Sequence, residues 1–210
     1  MILYPNSSLS KPFAFEDSDK REIHLTGEAI FDVTKDASKP FYVHTRDVVT
    51  RVIGTSFKIT DLRDDNIGVE VLSGMVAVYN DENQEAKEDG QIGNGVVLTP
   101  NQKVTYYTEN KQFVTSVVAD PILIKDEKKE AEVPSFIYDE TEIEIVLSDL
   151  EQNYGIQIEV VENERLSRCP LTADLTGQSL YDKIEMICVA LNASYEVKGT
   201  TILINGRGCN

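Results

Sequence analysis

His24 and His44 are the only imidazoles in the chain, and no HExxH or comparable ligand spacing surrounds either one. Each falls inside an alternating apolar run and reads as a half-exposed strand residue rather than a metal ligand or a base. Gly54-Thr55-Ser56-Phe57-Lys58 starts like the turn that lifts a nucleophilic serine above a sheet, but its final glycine is missing. Gly93-Asn94-Gly95-Val96-Val97-Leu98 starts like a dinucleotide loop. It lacks the third glycine and no helix follows to receive a pyrophosphate, so it reads as a turn. Asp61, Asp64, Asp65 and Asn66 would suit calcium by type. Their spacing fits no EF-hand and no closing Glu follows, so a solvated acidic turn is expected. Cys169, Cys188 and Cys209 match no zinc ribbon or finger. The 36 Asp and Glu always supply carboxylate pairs of the glycosidase kind, but there is no tryptophan to stack a sugar ring, although 9 Tyr and 7 Phe could substitute. The reading is of no catalytic residue, no metal ligand and no cofactor.

The elements around these residues are mostly strands. Ile23 and Leu25, Ala29 with Phe31 and Val33, Phe41 and Val43, Phe57 and Ile59, Val69 and Val71, and Val76 and Val78 alternate with polar neighbours. Turn-forming clusters separate them, such as Thr26-Gly27-Glu28, Asp64-Asp65-Asn66, Ser73-Gly74 and Asp89-Gly90. This pattern over residues 21–118 predicts an antiparallel sandwich or roll, with no amphipathic helix before residue 140. The run 125–134 is almost all charged, ends in proline and reads as a linker. The predicted organisation is therefore a β domain over 1–120, a linker over 121–134 and a small α/β domain over 135–210.

In that last part Ile143, Val146, Leu147, Leu150 and Tyr154 form one helical stripe. Thr141 with Glu144 predicts a capping box at its start, and Gly155 a left-handed cap at its end. Ile156, Ile158 and Val160 alternate as a strand, as do Leu171, Ala173 and Leu175. Leu180, Ile184, Ile187, Cys188 and Leu191 make a second stripe, capped by Ser179 and Asp182. Tyr195 and Val197, then Ile202 and Ile204, predict a hairpin turned at Lys198-Gly199. The order is strand, helix, strand twice over with one strand added, so the fold class is mainly β plus α+β.

Charge narrows the partners. Lys and Arg total 20 against 36 acids, a formal net charge of -16, so nucleic acid and anionic lipid are repelled. The 41% hydrophobic content suffices for a core. No stretch reaches the roughly 18 apolar residues of a membrane span, and Met1-Ile2-Leu3-Tyr4-Pro5-Asn6 has no signal-peptide character. The chain as it stands is expected to be soluble.

Arg21-Glu22-Ile23-His24-Leu25-Thr26-Gly27-Glu28-Ala29-Ile30-Phe31-Asp32-Val33 resembles the signature of the FecR family. Pro40-Phe41-Tyr42-Val43-His44-Thr45, Val52-Ile53-Gly54-Thr55-Ser56-Phe57, Val71-Leu72-Ser73-Gly74-Met75-Val76-Ala77-Val78 and Leu98-Thr99-Pro100-Asn101-Gln102 are similar to its later blocks, in the same order. Gly27 and Gly54 suit a close backbone approach or a positive φ, Glu28 a buried hydrogen-bond acceptor, and Asn101 replaces the family's usual glycine. Beyond Pro134, Leu150-Glu151-Gln152-Asn153-Tyr154-Gly155-Ile156-Gln157-Ile158, Leu171-Thr172-Ala173-Asp174-Leu175 and Ile187-Cys188-Val189-Ala190-Leu191 resemble the family's C-terminal domain, itself similar to the secretin and TonB-type signalling domain. A tryptophan common before that domain is absent, and the charged run stands there instead.

The resemblance implies the periplasmic sensor part of a transmembrane anti-sigma factor. It would receive a signal from a TonB-dependent outer-membrane transporter and regulate an extracytoplasmic-function sigma factor by binding, not catalysis. The implied inner-membrane helix and cytoplasmic sigma-binding segment would lie upstream of Met1. The partner-binding element is expected to be a terminal edge strand, Thr200, Thr201, Ile202, Leu203 and Ile204, to which a partner strand could add. Cys188 reads as a buried thiol, while Cys169 and Cys209 flank strands of one domain and could pair in an oxidising periplasm. The competing reading is a secreted carbohydrate-binding or adhesin-like module. It would need an exposed aromatic platform, and Tyr42, Tyr79, Tyr106, Tyr107 and Tyr181 are scattered. A hydrolase comes third and would need an acidic cleft with shifted carboxyl groups.

Overall fold

A computed structural model describes residues 1–11, 19–61, 66–80, 95–124, 134–161 and 164–209. Outside them fall Asp64 and Asp65 of the acidic turn, the turn at Asp89-Gly90, Gly93 and Asn94, and most of the expected linker. The chain is mostly β and divides into two compact units, Met1–Thr115 and Ser116–Asn210.

The first unit begins with β1 (Ile2–Leu3), β2 (Ser8–Ser10), β3 (Arg21–Thr26), β4 (Glu28–Asp32), β5 (Phe41–Thr45) and β6 (Val48–Val52). It continues through β7 (Ser56–Asp61), β8 (Asn66–Ser73), β9 (Val76–Asn80), β10 (Val96–Leu98), β11 (Gln102–Tyr107) and β12 (Gln112–Val117). One sheet runs β1-β4-β7-β8-β11-β12 and the other β10-β9-β6-β5-β3-β2. Their inward residues form a single core: Ile23, Leu25, Val43, Val52 and Val78 from one sheet meet Ala29, Phe31, Phe57, Ile59 and Val69 from the other. Strict alternation is what permits this, because in each strand successive side chains point to opposite faces. Phe31 stacks on Phe57 with ring centroids 5.2 Å apart.

β3 and β5 run parallel, whereas β1–β4, β4–β7, β7–β8, β8–β11, β2–β3, β5–β6, β6–β9 and β9–β10 are antiparallel pairs. The chain leaves β3 through Gly27 (φ 95°), adds β4 to the opposite sheet, and returns as β5 beside β3. Gly27 is required twice over, by its positive φ and by the backbone of Ser7, whose Cα would lie 2.8 Å from an added Cβ. Gly54 lacks a positive φ. Its reason is contact alone, since a Cβ would sit 2.3 Å from Lys35 Cα. Asn101 takes the left-handed conformation (φ 64°) that the missing glycine would have taken, and is buried. Glu28 is not the buried acceptor expected. Its carboxylate is partly exposed and pairs with Lys58 across the β4–β7 ladder at 2.7 Å.

The unit boundary falls inside β12, upstream of the position 120 expected from sequence. Residues 116–124 pack with the second unit: Val117 joins its core, Leu123 packs against that core, and Ile124 N–H donates to Asn153 C=O at 2.8 Å. That unit contains β13 (Ile137–Glu142), α1 (Ile143–Tyr154), β14 (Gln157–Val160), a short α2 (Glu164–Ser167), β15 (Pro170–Asp174), α3 (Leu180–Ala190), β16 (Ala193–Lys198) and β17 (Thr201–Gly206). The five residues of the first helical stripe are all buried, as are the five of the second, Leu180, Ile184, Ile187, Cys188 and Leu191.

Ser179 caps α3 as expected, accepting from Asp182 N–H at 3.2 Å. The Thr141–Glu144 box is not formed. Thr141 lies within β13, the helix starts after Glu142 without a side-chain cap, and Ile143 N–H donates to Cys169 C=O at 3.0 Å instead. A neighbouring strand connection therefore satisfies an amide that local sequence was expected to satisfy. Nor do the two strand–helix–strand units share one sheet. β13 and β15 form an antiparallel pair, while β14, β17 and β16 form a separate three-stranded sheet.

Candidate partner-binding edge

In that three-stranded sheet β17 pairs parallel with β14 on one side and antiparallel with β16 on the other. The strand expected at the edge is thus interior. Ile202 and Ile204 are buried, and Thr201 and Leu203 bridge to Lys198 and Glu196. Sequence order misled because the last strand inserts between two earlier ones, which the apolar alternation of Ile202 and Ile204 equally permits.

The two true edges differ. On β14, Ile158 N–H donates to Glu151 Oε1 at 2.7 Å, so a helix side chain occupies an amide a partner strand would need. On β16 the backbone direction follows from one bond. Val161 N–H donates to Ile204 C=O, so Ile204 faces β14 and its neighbours Leu203 and Asn205 face β16. Their partners Glu196 and Ser194 therefore turn inward, and Tyr195 and Val197 present N–H and C=O outward. β16 is exposed from Ser194 to Lys198. Tyr195 and Val197 lie opposite Ile204 and Ile202, on the core-facing side of the sheet but beyond full cover, at 36% and 42% exposure. The Tyr195 ring stacks near that of Tyr181 on α3, centroids 6.4 Å apart, and Tyr181 Oη donates to Val118 C=O at 3.2 Å. The edge is thus an apolar and aromatic strip beside backbone that pairs with no other strand among the described residues, flanked by Glu196 and Lys198. The Tyr195–Val197 alternation was legible in sequence, but which hairpin strand lay outside was not.

Elsewhere the chemistry has structural causes. Cys169 and Cys209 form a disulfide with Cα atoms 5.6 Å apart, and it ties the C-terminal residues to the segment before β15. Cys188 is a free buried thiol, pushed up to about 11 by that burial. Asp36 and Asp174 are held below the usual carboxylate range by hydrogen bonds from Ser38 and Thr176 in turns. Burial, and a 2.6 Å hydrogen bond to Asp149, push the Tyr138 phenol well up. Asp61 is engaged by Arg46 at 2.8 Å, not presented to solvent for an ion. Tyr106 is buried in the first core and Asn80 donates to its hydroxyl at 2.6 Å, so it belongs to no exposed aromatic surface. His24 and His44 meet as paired neighbours on β3 and β5.

A family model described as FecR protein matches residues 1–77, and one described as FecR, C-terminal, matches residues 135–204. Two solved structures of a candidate anti-sigma factor from Parabacteroides distasonis, at 1.65 and 2.50 Å resolution, are similar at 23% identity. The likeness covers 98% of this chain and 89% of theirs, with a TM-score of 0.46. No curated protein matches the chain. The matched family is regulatory and not an enzyme class. With its two domains present in order along the sequence, this protein belongs to the FecR family of anti-sigma factors.

Proposed function

We propose that the chain is the periplasmic sensor part of a transmembrane anti-sigma factor, and that it receives its signal by binding the N-terminal signalling domain of a TonB-dependent outer-membrane transporter. The sigma factor it regulates would lie across the inner membrane. The open β16 edge carries the reading. Its outward amides and carbonyls at Tyr195 and Val197 can accept an added strand, and the exposed side chains of the same two residues supply apolar contact. Such a mechanism needs no catalytic group.

Isothermal titration of the whole chain with the transporter domain tests it. Val197→Pro removes one outward amide, spares the β16–β17 ladder, and should weaken binding about ten-fold. Leu203→Pro would instead break an interior strand and unfold the sheet, so it cannot serve as the probe. Unchanged affinity in a folded Val197→Pro protein would move recognition away from β16.

A further inference from the structure

We propose that His24 and His44 form a two-histidine site for a borderline divalent metal ion, Zn2+, Cu2+ or Ni2+, on the outer face of the sheet containing β3 and β5. They are the only two histidines among 210 residues. The fold nevertheless brings them to the same register on adjacent parallel strands, with ring centroids 4.9 Å apart. Ile23, Leu25, Val43 and Thr45 point into the core, so both imidazoles lie on the opposite, outward face, His24 exposed and His44 partly so.

The separation fits chelation. A nitrogen binds such an ion at about 2.0–2.1 Å, which puts the ion about 3.2 Å from each ring centre. At a tetrahedral angle the two centres then stand about 5.2 Å apart, close to the observed 4.9 Å. The rings are near parallel, at 28°, so binding requires the imidazole planes to turn and leaves the strands in place. Solvent would complete the coordination.

Ligand type selects the metal. Imidazole suits Zn2+, Cu2+ and Ni2+, whereas Mg2+ and Ca2+ seek oxygen. Thiolates do not compete among the described residues, because Cys169 and Cys209 are joined and Cys188 is buried. The expected competitors are surface carboxylates, given the net charge of -16, and excess Mg2+ occupies those without displacing an imidazole-bound ion.

The test is titration of the whole chain with ZnCl2 and NiCl2 in excess MgCl2, followed by calorimetry and by the imidazole proton resonances. One ion per chain is expected, with the resonances of both histidines shifting together. His24→Gln and His44→Gln should each abolish it while leaving circular dichroism unchanged, since neither ring is in the core. Stoichiometric binding that survives in the double variant, or no binding above the Mg2+ background, would overturn the site.

Discussion

Arg46, in the turn joining β5 to β6, forms an ion pair with Asp61 at the end of β7, with 2.8 Å between Nη2 and Oδ1. The pair ties a hairpin of one sheet to a strand of the other. The Asp61 side chain is 5% exposed and that of Arg46 is 35% exposed, so the carboxylate depends on the guanidinium more than the reverse. Arg46→Ala should cost about 2 kcal/mol by stranding that carboxylate, after allowance for the exposure of the arginine. Urea denaturation of both single variants and of the Arg46→Ala/Asp61→Ala double variant checks it. Strictly additive losses would show that the pair contributes nothing.

Gly54 and Gly199 separate contact from conformation. At Gly54 an added methyl meets Lys35 backbone, whereas at Gly199 (φ 61°) nothing lies within 4 Å and only the left-handed backbone resists. Gly54→Ala should cost about 2–3 kcal/mol, and Gly199→Ala about 1 kcal/mol. Equal costs in denaturant melts would remove the close approach as the reason for Gly54.

Lys183 is buried, its ammonium donates to Gln178 C=O and stands 4.5 Å from the centroid of the Phe136 ring. Burial pushes it below its ordinary 10.5, against the opposing pull of Asp182. Between the folded value and 10.5 the unfolded chain holds more protons, so this group makes stability rise with pH there. Tyr138, Tyr154 and Tyr181 have the opposite sign: burial raises each above 10.0, the folded state keeps protons that the unfolded phenols shed, and stability falls through that value. Lys183→Met should stay within about 1 kcal/mol of the parent at neutral pH and lose the rise that precedes the tyrosine-driven fall. Denaturant midpoints from about pH 8 to about pH 10 measure it. Parallel profiles for parent and variant would refute the assignment.

The disulfide closes a loop with a sequence separation of 40. Chain entropy then predicts a loss of about 3–4 kcal/mol for Cys169→Ser/Cys209→Ser, confined to the second unit. Non-reducing peptide mapping should find only the Cys169–Cys209 bridge. Cys188 should resist Ellman's reagent until the chain unfolds, because it is buried and its thiol is pushed up to about 11. Rapid native labelling of Cys188 would contradict that burial.

The sequence by itself determined what depends on neighbours along the chain. Alternation at Ile23 and Leu25 or Val69 and Val71 dictates a strand with one buried face, and the stripe from Ile143 to Tyr154 dictates a helix with one apolar side. Ser179 and Asp182 are close enough to cap a helix unaided, and Gly155 and Asn101 suit the left-handed turns they occupy. Tertiary structure decided what depends on long-range pairing. The Ile202–Ile204 alternation is the same for an edge as for an interior strand, and only insertion between β14 and β16 made it interior. Thr141 had the right residue type for a cap, but pairing of β13 with β15 drew it into a strand and let Cys169 C=O take the helix amide. His24 and His44 became neighbours because β4 left for the opposite sheet and let β5 return parallel to β3. Periodicity fixes which face of an element is buried, whereas partner and register are set by burial and backbone hydrogen bonding over the whole unit.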